Sequence, residues 1–269
     1  MSNLIDLSKY TTFGIGPKVK TEIITDLSAL RKNSDAIILG KGSNVLILDK
    51  FSEKVVINRA QKFWIKNNTL YAESGCLFSF LAKYTATLGL GGLEWAYMLP
   101  ASIGGAIKMN AGAFSHSIGE SIEKVGVYRE GEVVELSAKE CGFSYRKSTF
   151  DNGDVILYAY LNLTPSKDDM CLQKLDEVKS KRLLQPKGKS AGCIYKTQGK
   201  SAGWYIERAN LKGKRFGDIY VSPIHAGFFI NAGRGKSEDV LKLMDYVEKC
   251  VEDKFGIKLE KEIEIIGEN

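Results

Sequence analysis

An α+β fold is predicted by three patterns in the chain. Its first half consists of short β-branched and aromatic runs between glycine-rich and polar turns. Its second half carries helical spacing, and Thr164-Pro165-Ser166-Lys167 divides the two with a proline and polar residues. Strands are expected over Lys20–Thr25, Ala36–Leu39, Val45–Leu48, Lys54–Asn58 and Thr69–Glu73. Leu77, Leu81, Tyr84 and Leu88 then recur at helical spacing, with Gly89 as the stop, so Leu77–Leu88 is a helix. Ile122–Tyr128, Glu132–Leu136 and Val155–Leu163 read as further strands. Asp168–Leu184, Ser201–Asn210 and Ser237–Phe255 read as helices, the last with Ser237 as N-cap and Glu238 and Asp239 in its first turn. Lys261–Ile266 alternates as a strand does. The expected division is residues 1–166, split again near residue 58, and residues 167–269.

The 269 residues, 44% of them hydrophobic, are enough for a substantial core. No run approaches the roughly 18 apolar residues of a membrane span, and Met1–Tyr10 lacks a basic segment followed by an apolar one, so a cytoplasmic protein is expected. Five cysteines without a Cys-x-x-Cys pair argue against disulfides and zinc. The net charge of +6 is concentrated: Lys179–Arg215 holds eleven basic residues against the single acid Glu207. Such a stretch is suited to a diphosphate or carboxylate ligand, and also to a nucleic acid.

Two glycine segments stand out. Gly40-Lys41-Gly42-Ser43-Asn44 lies between two strand-like runs, where its amides and small polar side chains suit a phosphate; taken alone it reads first as an ordinary glycine turn. Pro100-Ala101-Ser102-Ile103-Gly104-Gly105-Ala106 is the second, extended by Lys108-Met109-Asn110-Ala111-Gly112-Ala113-Phe114. Thr11-Thr12-Phe13-Gly14-Ile15-Gly16 precedes both. After them come Ser144-Tyr145-Arg146-Lys147-Ser148, Ser190-Ala191-Gly192-Cys193-Ile194-Tyr195-Lys196, Ser201-Ala202-Gly203-Trp204, Leu211-Lys212-Gly213, Ser222–Asn231 and Glu262-Ile263-Glu264-Ile265-Ile266-Gly267.

In order and spacing, from about Tyr10 to Gly267, this array resembles the UDP-N-acetylenolpyruvoylglucosamine reductase (MurB) family, in its shorter, type II-like class. The resemblance implies a two-subdomain FAD-binding fold of the vanillyl-alcohol oxidase/PCMH type, followed by a smaller α+β substrate-binding domain. It implies non-covalent FAD held by Gly40, Lys41, Gly42, Ser43, Asn44, Pro100, Ser102, Ile103, Gly104, Gly105 and Ala106. The implied reaction is NADPH-dependent reduction of an enolpyruvyl ether on a UDP-sugar to UDP-N-acetylmuramate, a peptidoglycan precursor, with hydride to C3 and a proton to C2.

Three residues match the family's catalytic positions. Arg146 offers a planar pair of donors for the substrate carboxylate; without the resemblance it reads as a surface ion-pair residue. Cys193 stands where the family has a serine as proton donor. A thiol, with an unperturbed pKa of about 8.5, is a stronger acid than an alkyl hydroxyl and is mostly protonated near neutrality. Glu262 matches the closing glutamate, and burial is expected to keep it protonated beside an enolate. Strand alternation puts Glu260, Glu262 and Glu264 on one face, so periodicity does not choose among them. Tyr145, Arg182, Lys196, Lys212 and His225 match substrate-binding positions, although Lys196-Thr197-Gln198 departs from the family's Lys-Asn-Pro. With only two histidines and no cluster of ligating residues, no metal site is expected. A monomer with no nucleic-acid or membrane partner is expected. The competing readings are another flavin oxidoreductase on the same scaffold, and a nucleic-acid-binding protein using Lys179–Arg215, which would leave the glycine segments unexplained.

Overall fold

A computed structural model describes residues 3–151, 153–167, 169–197 and 199–268. Asp168, the expected first residue of a helix, and Gln198, in the segment that departs from the family pattern, lie outside the described residues. The backbone forms two compact units, each assembled from separate stretches of chain. The first gathers residues 21–41 and 54–184, the second residues 3–20, 42–53 and 185–268.

The first unit is built on a five-stranded antiparallel sheet ordered Glu132–Ser137, Ile122–Arg129, Val155–Asn162, Thr69–Glu73, Phe63–Lys66. Gly126 pairs with Tyr158 but Val127 pairs with Ile156, so Leu157 is an extra residue. Such a bulge shifts the alternation of a strand, and here Ile156 joins one core together with Ala159 and Leu161 while Val155 and Leu157 join another. Ala159 and Leu161 pack with Phe78, Leu81, Ile103 and Ala106, whereas Val155 and Leu157 pack with Ile24, Leu30 and Val56. The second of these cores also belongs to the parallel pairings of Lys18–Ile24 and Ile37–Leu39 with Val55–Asn58. Among the described residues the unit's α-helices are α1 (Leu27–Arg31), α2 (Phe78–Thr87), α3 (Ile103–Lys108) and α4 (Met170–Leu183). The glycine segment read from sequence as loop therefore contains a helix, α3, whose N-cap is Ser102.

In the second unit, α5 (Ala202–Arg208) and α6 (Ser237–Phe255) pack on a small antiparallel sheet of Arg215–Phe216, Ile219–Val221 and Phe229–Asn231. Val240, Leu243, Met244, Val247 and Val251 form the buried stripe of α6, at the spacing one helix face requires. Two strands, Val45–Ile47 and Glu264–Ile266, pair in parallel. Lys236, not Ser237, is the N-cap of α6. The side-chain acceptor at this helix start is Asp239, whose Oδ2 accepts the Lys236 N–H at 3.1 Å, while Ser237 Oγ donates to Asp49 Oδ2 at 3.1 Å. No helix among the described residues is long and apolar enough to cross a membrane.

Candidate active site

The fold of the first unit brings the two glycine segments into contact, although some sixty residues separate them in the chain. A Cβ on Gly40 would stand 2.1 Å from Ser102 Oγ, so only glycine permits this approach. Ser102 Oγ also accepts the Gly105 N–H at 3.4 Å, and Gly104 N–H donates to the Ser74 carbonyl at 2.8 Å. Ser74 Oγ in turn accepts from Asn58 Nδ2 at 2.8 Å, and Arg59 Nη1 donates to the Gly40 carbonyl at 2.9 Å. Small residues, a hydroxyl and a guanidinium thus gather in one cradle; the Gly104 and Gly105 amides donate within the protein, and the hydroxyl and guanidinium are donors of the kind that suits the diphosphate of FAD. Sequence reasoning misses Asn58, Arg59 and Ser74, because nothing local marks them; they act only through a long-range contact. Beside the cradle, Lys41, Leu77, Phe80, Tyr97 and Pro100 line a cleft of about 300 Å³. Gly42, Ser43 and Asn44 group with the second unit. There Asn44 Nδ2 donates to the Glu262 carbonyl at 2.8 Å, and the Asn44 carbonyl accepts from Glu264 N–H at 2.9 Å.

Arg146 lies on a tight turn, also in the first unit. Ser144 and Lys147 exchange backbone hydrogen bonds of 3.0 and 3.2 Å, and Arg146 takes a φ of 54°, in the left-handed region that costs a side-chain-bearing residue about 1 kcal/mol or more. Asn110 Nδ2 anchors the turn at the Ser144 carbonyl, 2.8 Å away. The Arg146 guanidinium lies 5.3 Å from the ring centroid of Tyr145. Both residues line a cleft of about 890 Å³ with Asn110, Phe114 and Lys139. Over Phe114 stand Lys181 at 5.5 Å and Arg182 at 5.0 Å, and burial lowers the pKa of Arg182. Tyr145 and Arg146 therefore share one cleft, and Arg182 packs on Phe114, which also lines it.

Cys193 is placed by three separate segments of the second unit. It forms an antiparallel bridge with Phe228, and its neighbour Ile194 donates to the Gly227 carbonyl at 2.9 Å. The Ile194 carbonyl accepts from Glu262 N–H at 2.8 Å, which joins the Cys193 and Glu262 segments directly. The preceding stretch is tied down by Thr12, whose Oγ1 donates to the Ser190 carbonyl at 2.7 Å. Gly192, at φ 77°, has open space where a Cβ would be. Glu260, Glu262 and Glu264 separate here: Glu260 is exposed and ion-paired with Lys196, Glu264 is exposed, and Glu262 is half-buried. Regular strand pairing begins only at Glu264, so the three do not simply alternate along one strand. Lys212 is ion-paired with Glu207 at 2.6 Å. Among the described residues no group of three or more histidine, cysteine or acidic side chains is placed to hold a metal ion.

An FAD-type cradle in one unit, and a thiol joined to a glutamate segment in the other, describe an FAD-dependent oxidoreductase. Comparison with known proteins agrees in both parts. Residues 15–137 match the FAD binding domain family, and residues 185–266 match the C-terminal domain of UDP-N-acetylenolpyruvoylglucosamine reductase. The Thermotoga maritima UDP-N-acetylenolpyruvoylglucosamine reductase is 37% identical, over 96% of each chain, and the Clostridium novyi enzyme of that name is 36% identical, over 100% of this chain and 92% of its own. The crystal structure of the MurB reductase from Thermus caldophilus superposes with a TM-score of 0.89 at 33% identity, covering 99% of both chains. The chain belongs to the UDP-N-acetylenolpyruvoylglucosamine reductase family of FAD-dependent oxidoreductases.

Proposed function

We propose that this protein reduces the enolpyruvyl ether of UDP-N-acetylglucosamine to UDP-N-acetylmuramate at the expense of NADPH, as a cytoplasmic monomer supplying peptidoglycan synthesis. The observation that carries the reading is the hydrogen-bonded joining of Cys193 to the Glu262 segment through Ile194, in a chain matched end to end by reductases of this name. In functional terms, residues 1–166 bind the flavin and lend Tyr145 and Arg146 to the substrate, and residues 167–269 supply the rest of the sugar-nucleotide site, a division distinct from the two compact units of the backbone.

FAD, held by the Gly40–Asn44 and Pro100–Ala106 segments, supplies two-electron hydride chemistry when bound. The protein's own residues do the rest. Arg146 receives the substrate carboxylate in a two-pronged contact and stabilises the negative charge that grows on it as C3 is reduced. Cys193 delivers a proton from Sγ to C2 and is then reprotonated from solvent. Glu262, in its protonated form, donates a hydrogen bond to the same developing charge. Tyr145, Arg182, Lys196 and Lys212 bind the sugar nucleotide, the three cations favouring its diphosphate.

If NADPH and the sugar nucleotide use one pocket in turn, initial rates measured against both give parallel double-reciprocal lines. Convergent lines contradict that order of events.

A further inference from the structure

The loop from Ser222 to Phe228 carries an exposed histidine, His225, whose ring is tied back to the loop's own backbone. Buried Ser222 accepts at Oγ the N–H groups of Ile224 (3.2 Å) and His225 (3.3 Å), and its own N–H donates to the Phe228 carbonyl at 2.9 Å. Inside this frame the Gly227 N–H donates to Nδ1 of His225 at 3.1 Å. A ring nitrogen that accepts a hydrogen bond carries no proton, so this contact requires the tautomer with the proton on Nε2. The residue is exposed, yet its ring also meets two neighbours. Phe228 meets it edge-on with centroids 5.1 Å apart, and a Cβ on Gly203 of α5 would lie 3.1 Å from its Cε1.

Gly227 faces two ways. Its carbonyl accepts from Ile194, the residue after Cys193, and a Cβ added to it would stand 3.3 Å from Cys193 Sγ and 3.0 Å from His225 Cε1. The thiol and the imidazole therefore rest on the same bare Cα. We propose that His225 is a positioning residue for the proton-donating thiol, its unprotonated Nδ1 holding the Gly227 amide and so fixing the turn against which Cys193 Sγ lies. This rests on Cys193 being the proton donor, and it replaces the substrate-binding role that resemblance implies for His225.

Three variants of the holoenzyme test it. In His225→Asn, Oδ1 takes the place of Nδ1 as acceptor; His225→Gln reaches instead to the place of Nε2; His225→Ala supplies neither. Reoxidation of the reduced flavin by the UDP-enolpyruvyl sugar is expected within about twofold of wild type for Asn, and about five- to tenfold slower for Gln and Ala, the range one hydrogen bond spans. KM for the sugar nucleotide changes little throughout.

Alkylation of Cys193 by iodoacetamide, followed by peptide mass mapping, gives a readout that needs no substrate. Burial pushes Cys76 up to about 12 and Cys141 up to about 11, so those thiols react slowly. The Cys193 rate should shift in Gln and Ala but not in Asn. Rescue by Gln but not Asn with a raised KM, equal slowing in all three, or no effect in any of them overturns the proposal. So does a nitrogen-15 spectrum of wild type with the proton on Nδ1, whether or not the variants fold. If wild type fails to reduce the sugar nucleotide, the functional reading falls, while alkylation and the nitrogen spectrum still decide the role of His225.

Discussion

The turn that presents Arg146 and the one that presents Cys193 are built on different principles. The Arg146 turn closes on itself within four residues and is tied to Asn110, with Arg146 in left-handed backbone beside exposed Tyr145. Cys193 is fixed by chain segments near residues 12, 228 and 262, none of them close in sequence. The side chains explain the contrast. A guanidinium on a long, flexible stem can search for a carboxylate, so a locally made turn suffices. A thiol sits one bond beyond Cβ and has almost no reach, so its backbone must be placed for it.

The largest effect should come from removing the short-reach group. Cys193→Ala is expected to slow reoxidation of reduced flavin by the sugar nucleotide by roughly two to four orders of magnitude. Flavin reduction by NADPH should change little, and Cys193→Ser should stay active; stopped-flow traces slowed equally in both half-reactions would remove the proton-donor role. Next, Arg146→Gly should lose about a hundredfold in the same step, the worth of a two-pronged charged hydrogen bond. It should also raise the melting temperature by about 2 °C, because glycine relieves the left-handed strain. A fall in both would show that the turn depends on the guanidinium.

A smaller effect is expected at the flavin cradle. Gly40→Ala drives a methyl into Ser102 Oγ and should weaken FAD binding by about tenfold through the lost α3 cap, as read by flavin retained on dialysis. Asp154→Asn is a control affecting neither turn. Asp154 is 2% exposed and accepts two hydrogen bonds from Arg129, at 2.6 and 2.7 Å, which hold its carboxyl below the ordinary carboxylate value. A depressed folded pKa stabilises above the unfolded value of about 3.9, and that stability is lost as pH falls through the folded value. The variant should lose about 2 kcal/mol near neutrality, with the gap from wild type closing below about pH 4 in denaturant titrations.

What could be read from sequence follows the same line between local and distant. The helices α2 and α6 and the strands Ile122–Arg129 and Val155–Asn162 were legible because their periodicity is local. Glycines concealed α3, since Gly104 and Gly105 lower helix propensity while Ser102 capping and packing of Ile103 and Ala106 restore the helix. The bulge at Leu157 and the Asn58–Ser74 and Arg59–Gly40 contacts had no signature, because each depends on pairing between remote segments. At the site, alternation left Glu260, Glu262 and Glu264 equivalent. Burial and the ion pair of Lys196 with Glu260 distinguish them in the folded chain.

The most direct test of the account is the visible absorbance of the purified protein under anaerobic conditions, recorded before and after NADPH and again after the UDP-enolpyruvyl sugar. Flavin bands should bleach with NADPH and return with the sugar nucleotide. Bands that bleach and stay bleached would contradict the proposed substrate, and a protein showing no flavin bands after incubation with FAD would contradict the account at its base.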